Sequence, residues 1–383
     1  MSKEPKPFQV AVSDEELNSL HQRLTNTRWP EAETCDDWSQ GVPLHYTREL
    51  AHYWEQEYDW RRFEKKLNSW PNFKTEIDGI DIHFIHRRSP EPNALPLIIS
   101  HGWPGSVLEF HKIIDALADP VAHGGKAEDA FHVVAPSLPG YGFSGKPTAT
   151  GTSVVTIGKM WGQLMARLGY DRYVAQGGDW GSIITQSMGQ TETEHCAGIH
   201  INMPIVAPDP DTMDKLTETE QAALADMANY NEWDSGYSKQ QSTRPQTLGY
   251  GLADSPVGQM AWIVEKFYAW TDCEENGKKH PENLLSKDEL LDNVMLYWLN
   301  NCAASSGRLY WESFTQVNMD PITMPVGCSI FPKEIFRCSR RWAEKRFTNL
   351  IHWNELPKGG HFAALEQPEV FIQEVRKGLK SLR

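Results

Sequence analysis

The sequence predicts an α/β protein whose mostly parallel sheet is interrupted once by a block of helices. Short apolar runs before glycine turns alternate with helical patterns over 94–204, beginning with "ALPLIISHGWPGS". Such alternation is typical of parallel strands flanked by helices. It stops over 205–318, where the chain is helical, rich in aromatic residues and without a clear strand run, and it resumes at "MPVGCSIF" (324–331). An α/β core with an inserted helical cap is the simplest arrangement.

This interpretation divides the chain into four segments. They are an N-terminal helical extension (1–70), a first part of the core (71–204), the helical cap (205–318) and a second part of the core (319–383). The extension is expected to be helical over 14–70. Its first helix opens on a capping box, since Ser13 is followed three residues later by Glu16.

The other core elements follow from apolar spacing and turn residues. A hairpin is expected over 72–88, with its turn at Asp78 and Gly79. Apolar residues at helical spacing predict a helix over 153–168. Further strands are expected in "FHVVAPS", "DRYVAQ", "CAGIHINMP", "VGCSIF" and "LIHWNELP", and further helices in "GSIITQSMGQ", "RRWAEKRF" and the segment 369–382.

The composition limits which partners and which cellular compartment are expected. The 383 residues carry 37 Lys and Arg against 51 Asp and Glu, a net charge of −14, which argues against nucleic acid or an anionic membrane as the main partner. No signal peptide or transmembrane run is visible. The six cysteines lack metal-type spacing, so we expect reduced thiols and a soluble, cytoplasmic protein. No metal cluster or nucleotide loop is present, so no cofactor is expected, and the aromatic cap leaves room for a homodimer interface.

The stretch "AQGGDWGS" (175–182) matches a G-x-S-x-G nucleophile elbow in all but its central residue. A sharp strand-to-helix turn exposes the central side chain and needs small neighbours, which Gly177 and Gly181 provide. Asp179 stands where the serine would be, and the helix N-terminus behind it favours a carboxylate. An aspartate that only caps the helix is the alternative interpretation.

A nucleophile at this turn needs a base and a group that orients the base. In α/β-hydrolases the chain order is nucleophile, acid, histidine. His361 follows the last predicted strand in "PKGGHFAALEQP", and Glu334 in "FPKEI" follows the strand before it. Glu344 and Asp320 are weaker candidates for the acid. His101 fits a structural hydrogen bond better than the base.

The loop "HGWPG" (101–105) follows an earlier strand of the core. In this fold that loop and the residue after the nucleophile supply the backbone N–H groups of the oxyanion hole. Those residues are Trp103 and Trp180. Their backbone role is independent of their side chains, which could equally be core packing.

The aspartate changes the electrophile that the elbow can accept. Attack on an ester carbonyl would give a high-energy anhydride, whereas attack on an sp3 carbon gives an ordinary ester of Asp179. The suitable carbons carry an epoxide oxygen or a halogen. Water activated at His361 can then cleave the ester. An epoxide oxygen also needs a proton donor, and a tyrosine can serve at neutral pH.

The motifs "HGWPGS", "GGDWGS", "SPVGQMAWIVEKFYAW", "FPKEI" and "GGHFAALEQPE", with "RLTNTRWP" in the extension, resemble those of epoxide hydrolases of the α/β-hydrolase fold. The similarity is to the microsomal-type subgroup and runs along nearly the whole chain. It implies conversion of a small hydrophobic epoxide and water into a vicinal diol, a chemistry of detoxification among other roles. The membrane anchor of the microsomal enzymes is missing here, in agreement with a soluble protein.

The resemblance also implies residue roles. Asp179 would form a hydroxyalkyl ester, which water activated by His361 and Glu334 would hydrolyse. Two cap tyrosines, Tyr237 in "DSGYS" and Tyr310 in "SGRLY", would hold the epoxide oxygen. The other cap tyrosines are Tyr230, Tyr250, Tyr268 and Tyr297. We expect most of them to be core residues of the lid.

Three other functions are compatible with parts of the sequence. A haloalkane dehalogenase shares the aspartate nucleophile and the Asp-Trp dipeptide, but the cap tyrosines and the extension favour the epoxide. A non-catalytic binding protein of this fold usually lacks a member of the triad, and here all three positions are filled. An esterase or carbon–carbon hydrolase needs a serine at position 179.

Product analysis distinguishes an epoxide hydrolase from a haloalkane dehalogenase. With styrene oxide the protein should form the diol, because the cap tyrosines can supply the proton that the opening ring needs, and with 1-bromobutane it should release no bromide. Asp179→Ala should abolish diol formation. Bromide without diol would contradict the choice of epoxide.

Overall fold

A computed structural model describes residues 4–383 of the chain. The strands are β1 (Lys6–Pro7), β2 (Asn72–Ile77), β3 (Ile80–Arg87), β4 (Leu95–Ser100), β5 (Phe131–Pro136), β6 (Tyr173–Gly177), β7 (Cys196–Ile201), β8 (Glu274–Glu275), β9 (Lys278–Lys279), β10 (Val326–Ile330) and β11 (Leu350–Glu355). The α-helices are α1 (Asp14–Thr25), α2 (Leu44–Gln56), α3 (Trp60–Leu67), α4 (Ile114–Ala118), α5 (Val154–Arg167), α6 (Asp179–Thr191), α7 (Glu218–Asn229), α8 (Gly236–Thr243), α9 (Pro245–Asp254), α10 (Pro256–Trp270), α11 (Lys287–Trp298), α12 (Ala303–Ser313), α13 (Arg340–Arg346), α14 (Ala363–Glu366) and α15 (Pro368–Gly378). Short 3-10 turns cover Val107–Phe110, Val121–His123, Ala127–Asp129, Pro210–Thr212, Pro281–Asn283 and Lys380–Leu382, and a π-helical turn covers Tyr230–Asp234.

The main sheet has nine strands in the order β1-β2-β3-β5-β4-β6-β7-β10-β11. The strands from β5 to β11 in this order are all parallel, whereas β1, β2 and β3 are antiparallel to their neighbours. The predicted mostly parallel sheet and the hairpin at Asp78 and Gly79 are therefore confirmed. Both turn residues have positive φ, +50° and +80°, which a tight hairpin turn of this kind requires.

The apolar sequences of the central strands reflect burial on both faces of the sheet. All residues of β6 and β10 are buried, and β4 is buried except at Pro96. Strands β4 and β6 are neighbours, and Ser100 at the end of β4 pairs with Gly177 at the end of β6. The loops that leave these two strands therefore start side by side, at the carboxyl edge of the sheet.

The turn from β6 into α6 is as tight as its glycines predict. Asp179 has φ +49°, a left-handed conformation that costs energy for a residue with a Cβ. A Cβ on Gly181 would lie 2.0 Å from the Ser100 carbonyl oxygen, and one on Gly177 would lie 2.0 Å from the Gly181 carbonyl oxygen. The backbones approach so closely that only glycine fits, and this fixes the direction in which residue 179 points.

Six helices, α7 to α12, and the π-helical turn lie between β7 and β10. The segment also contains the two-residue strands β8 and β9, joined by a turn at Asn276 and Gly277, which differs from the expectation of no strand there. The pair is too short to give a periodic pattern in the sequence. The exact boundaries of the four segments remain a prediction.

The N-terminal extension contains three helices instead of one continuous helical run. Helix α1 begins at the capping box that Ser13 and Glu16 predict, but residues 26–43 are not helical. Gly41 has φ +108°, and Pro43 immediately precedes α2, so neither can continue a helix from α1. The prediction of helix over 14–70 was wrong in this interval.

The extension packs against the helices inserted between β7 and β10. Asp292 on α11 is 1% exposed and accepts hydrogen bonds from Arg62 (2.7 Å) and Tyr58 (2.6 Å). Burial raises the pKa of Asp292 to about 6, although the guanidinium and the phenol act in the opposite direction. The rings of Trp38 and Tyr268 stack 4.0 Å apart. These contacts hold the extension on the helical insertion and away from the carboxyl edge.

Two features bear on the expected compartment. Over residues 4–383, the structure has no helix that is both long enough and apolar enough to cross a membrane. All six cysteines are free, and five of them are buried.

Gly181→Ala should lower the free energy of unfolding by about 3 kcal/mol or more, because the new methyl group would collide with the backbone of β4. Gly251→Ala is the matched control. It lies in α9 with nothing near its Cβ position, and should raise stability by roughly 0.5–1 kcal/mol. Urea denaturation measures both, and equal stability of the two variants would contradict the tight turn.

Candidate active site

Four loops at the carboxyl ends of parallel strands bring together the candidate active-site residues that the α/β core supplies. Trp103 follows β4, Asp179 follows β6, Glu334 follows β10 and His361 follows β11. The carboxyl ends of parallel strands share one edge of a sheet, where α/β proteins place their ligands. Residues up to 258 positions apart in sequence therefore meet because of the topology.

Asp179, His361 and Glu334 form a continuous chain of charged groups. His361 Nε2 lies 3.3 Å from Asp179 Oδ2, and His361 Nδ1 lies 2.5 Å from Glu334 Oε1. The His361 and Glu334 side chains are 2% and 0% exposed. Glu334 Oε1 also accepts a hydrogen bond from the Ile335 N–H (2.7 Å). The imidazole is thus oriented at both nitrogens, and both His361 and Glu334 are shielded from bulk water.

The carboxylates determine the charge of the imidazole. Burial alone would lower the pKa of His361, but Glu334 and Asp179 outweigh it and hold that pKa well above 6.5. Burial raises the pKa of Glu334, against the opposing effect of His361. The geometry thus favours an imidazolium between two carboxylates at neutral pH.

The second oxygen of Asp179 is held by the loop after β4. Trp103 donates its backbone N–H to Asp179 Oδ1 at 2.8 Å. A Cβ on Gly102 would lie 2.1 Å from that oxygen, so only glycine allows this approach. Trp180 is the second residue of α6, where a backbone N–H has no intrahelical partner. The alternative that Asp179 simply caps its own helix is wrong, since its side chain is engaged elsewhere and Gly178 occupies the cap.

The other candidates for acid and base lie in different surroundings. His101 donates from Nδ1 to the Gly102 carbonyl and accepts the Leu138 N–H at Nε2, and burial lowers its pKa to about 4. It is a neutral structural residue. Glu344 is exposed on α13 and paired with Arg340.

A cavity of about 560 Å³ opens above Asp179. Its wall includes both tyrosines that the resemblance implies: Tyr237 on α8 (6% exposed) and Tyr310 on α12 (2% exposed). Their ring centroids are 5.8 Å apart, and the Trp103 ring stacks on Tyr237 at 4.8 Å. Most of the remaining wall is apolar: Trp180, Ile183, Met203, Ile205, Trp311, Phe314, Val317, Ile335 and Phe336.

The two tyrosines remain protonated at neutral pH. Burial raises the pKa of both well above 10, and the negative charge of Asp179 acts in the same direction. The buried Tyr310 hydroxyl donates its proton to no acceptor among residues 4–383. Its proton is therefore free to be donated to a molecule in the cavity.

A third tyrosine at the cavity was missed from the sequence. Tyr230, in the π-helical turn, lines the cavity, and its hydroxyl lies 3.0 Å from that of Tyr237. Burial raises its pKa to about 12. Tyr230 and Tyr237 lie in separate elements, the π-helical turn and α8, so their spacing in sequence did not reveal the contact.

The remaining cap tyrosines divide between core and surface. Tyr297 is buried and donates to the Gly105 carbonyl, and Tyr268 stacks on Trp38. Tyr250 is 70% exposed, so it is an exception to the expectation that most of these tyrosines lie in the core of the lid. It lies on α9, whose sequence alternates small and apolar residues without marking a buried face.

Models of two known families match the chain. The model described as "Epoxide hydrolase N terminus" matches residues 5–110, and the model described as "alpha/beta hydrolase fold" matches residues 96–246. A relative from Stigmatella aurantiaca that carries an epoxide hydrolase name is 53% identical over 98% of this chain and 85% of its own. Epoxide hydrolase 1 of Sus scrofa is 39% identical over 97% of this chain and 88% of its own.

Solved structures agree with these matches. The structure of Aspergillus niger epoxide hydrolase is similar with a TM-score of 0.89 and 32% identity, covering 99% of this chain and 97% of that one. The juvenile hormone epoxide hydrolase of the silkworm Bombyx mori is similar with a TM-score of 0.89 and 30% identity, covering 100% of this chain and 95% of that one.

Replacing Glu334 should change the protonation of His361. Glu334→Gln removes the carboxylate that most raises the pKa of His361, so that pKa should fall. An NMR titration of the imidazole nitrogens, with His361→Gln to assign the signal, measures it. Glu344→Gln, on the exposed residue of α13, should leave the pKa unchanged. A lower pKa in Glu344→Gln, with no change in Glu334→Gln, would identify Glu344 as the carboxylate that pairs with His361.

Proposed function

The chain belongs to the epoxide hydrolases of the α/β-hydrolase fold, and on this premise we propose how its residues convert an epoxide and water into a vicinal diol. One observation carries the proposal. The carboxylate of Asp179 contacts His361 and the Trp103 N–H, and it also lines a cavity that holds two protonated tyrosines. Nucleophile, base and acid are thus available to one bound molecule.

In the first step, Asp179 attacks a ring carbon of the epoxide. Its Oδ2 is the nucleophile, because Oδ1 is occupied by the Trp103 N–H. A bond forms between Oδ2 and carbon while the carbon–oxygen bond of the ring breaks. The ring oxygen takes a proton from Tyr237 or Tyr310, which gives a hydroxyalkyl ester of Asp179 and a free hydroxyl group.

The hydrogen bond between Tyr230 and Tyr237 bears on whether Tyr237 can donate its proton to the ring oxygen. A hydroxyl has one proton, so Tyr237 cannot donate to the epoxide and to Tyr230 at once. We assign Tyr230 as the donor of their 3.0 Å bond when substrate is bound. Tyr237 and Tyr310 then both direct protons at the ring oxygen, and Tyr230 stabilises the charge that develops on Tyr237.

In the second step, water cleaves the ester. His361 takes a proton from the water, whose oxygen attacks the carboxyl carbon of Asp179. Negative charge develops on Oδ1, next to the Trp103 N–H and the first turn of α6, where the Trp180 N–H is available. The bond between the carboxyl carbon and Oδ2 breaks, and the protonated His361 returns a proton to the departing diol.

His361 is protonated before the first step and must be neutral to act as the base in the second, and formation of the ester supplies this change. Before attack, Asp179 and Glu334 both hold the pKa of His361 above 6.5. Ester formation neutralises Asp179, so the pKa of His361 falls and the neutral imidazole needed by a base is favoured. The proton that His361 gives up restores the tyrosine that protonated the ring oxygen, and the carboxyl group of Asp179, freed by cleavage of the ester, returns a proton to His361.

The cavity supports small hydrophobic epoxides as the substrate class. Its volume of about 560 Å³ and its largely apolar wall suit a compact organic molecule. Trp311 and Phe314 are half exposed at the wall and give the entrance an apolar surface.

The cellular compartment and the oligomeric state are also proposals. The free cysteines support a reducing, cytoplasmic compartment. The exposed Trp233, at 78%, supports an interface of the helical insertion with a second copy, as expected from the aromatic cap.

Isotope labelling tests the two steps. With protein in excess over styrene oxide in 18O-water, a single turnover should place the label in the peptide that contains Asp179, because water attacks the carboxyl carbon. The first diol should be unlabelled. Asp179→Asn, which lacks the nucleophile, should take up no label. Immediate label in the diol would mean direct attack of water on the epoxide and would reject the ester.

A further inference from the structure

Glu366 lies beside the active site, although the proposed reaction assigns it no part. It is the last residue of α14, five positions after His361, and is 6% exposed. Its carboxylate accepts three backbone N–H groups and, among residues 4–383, forms no salt bridge. Burial raises its pKa to about 7, although these N–H groups act in the opposite direction.

The three bonds enclose the histidine. Glu366 Oε2 accepts the N–H of Gly360 at 2.8 Å, and Oε1 accepts the N–H of Phe362 at 2.9 Å. These are the residues immediately before and after His361. The N–H of His361 itself donates to the Trp270 carbonyl at 2.9 Å. Three consecutive N–H groups of the loop are therefore fixed, two of them by one carboxylate.

The third bond links the loop to the helical insertion. Glu366 Oε2 also accepts the N–H of Asp272 at 2.9 Å, just beyond the end of α10. Asp272 in turn accepts the N–H of Gly359 at 2.9 Å. A Cβ on Gly360 would lie 2.5 Å from the Trp270 carbonyl oxygen. The histidine loop and the segment after α10 are thus in direct backbone contact, and Glu366 satisfies N–H groups on both.

We propose that Glu366 is a positioning residue for His361, and that it serves the hydrolysis of the ester without serving its formation. The proposal rests on the two-step function above. His361 must place Nε2 toward Asp179 while Nδ1 stays 2.5 Å from Glu334, and an error of about 1 Å in such an alignment can cost a hundredfold in rate. Ester formation uses Asp179 and the tyrosines, which Glu366 does not touch.

Glu366→Gln tests the idea with almost no change of volume. The amide has one acceptor oxygen, and its NH2 group would face a backbone N–H, so at least one of the three bonds is lost. The matched control is Glu369→Gln, the same change three residues later on an exposed side chain of α15.

The experiment is a rapid quench with protein in excess over styrene oxide. It measures loss of styrene oxide, which reports ester formation, and release of diol, which reports hydrolysis. In Glu366→Gln, diol release should slow by about ten- to a hundredfold, while loss of styrene oxide stays within about twofold of the unmodified protein. The ester should accumulate and appear in the intact mass. Glu369→Gln should match the unmodified protein in both rates.

Two results would overturn the role of Glu366: unchanged rates, or both rates falling by the same factor, as a general loosening of the site would cause. If Glu366→Gln does not fold, Glu366→Asp decides by the same ratio of rates, since its shorter carboxylate cannot reach all three N–H groups. His361→Gln separates this inference from the proposed function. If it fails to trap an ester, the two-step reaction is wrong; if it traps one and Glu366→Gln does not, only the role of Glu366 is wrong.

Discussion

The carboxyl edge of the sheet depends on one imidazole held between two carboxylates. Buried charges are costly unless each has a partner and further hydrogen bonds. His361 partners both acids, the Trp103 N–H supports Asp179 and the Ile335 N–H supports Glu334. The tight turn at Gly177 and Gly181, the loop after β4 and the loop after β11 can each be understood as a means of keeping these groups in contact.

The division of labour between segments follows from that arrangement. The core supplies the charged chain, while α8, α12 and the π-helical turn supply the three phenols that face it. The N-terminal extension contributes no residue to the cavity wall described above and instead packs on the helical insertion through Arg62, Tyr58 and Asp292. Because the proposed reaction needs the phenols to stay in register with Asp179, which lies on another segment, it also needs the helical insertion to be held in place.

Much of the fold and the chain of Asp179, Glu334 and His361 could be predicted from sequence, because both depend on local signals. The strands appear in the sequence as apolar runs, and the elbow appears as closely spaced glycines. The acid and the histidine appear as loop residues that follow predicted strands. Tyr230 could not be selected in the same way. Its role depends on which cap helix faces the core, and this is decided by packing between segments far apart in the chain. The break over 26–43 was missed although Pro30, Gly41 and Pro43 are residues that interrupt helices.

Glu366 was overlooked for a related reason. Its neighbours His361 and Phe362 are close in sequence, but its bond to Asp272 joins segments 94 residues apart. No pattern of residue types reveals that a carboxylate will bind backbone N–H groups instead of a cation. Side chains that orient a loop in this way are visible only when the backbone path is known.

The largely apolar wall of the cavity has a consequence for turnover. An epoxide carries one weakly polar oxygen, whereas the diol carries two hydroxyl groups that lose hydrogen bonds to water wherever the wall offers no partner. The same surface that draws the reactant in by the hydrophobic effect therefore retains the product poorly. Partitioning between cavity and solvent thus favours exchange of product for reactant.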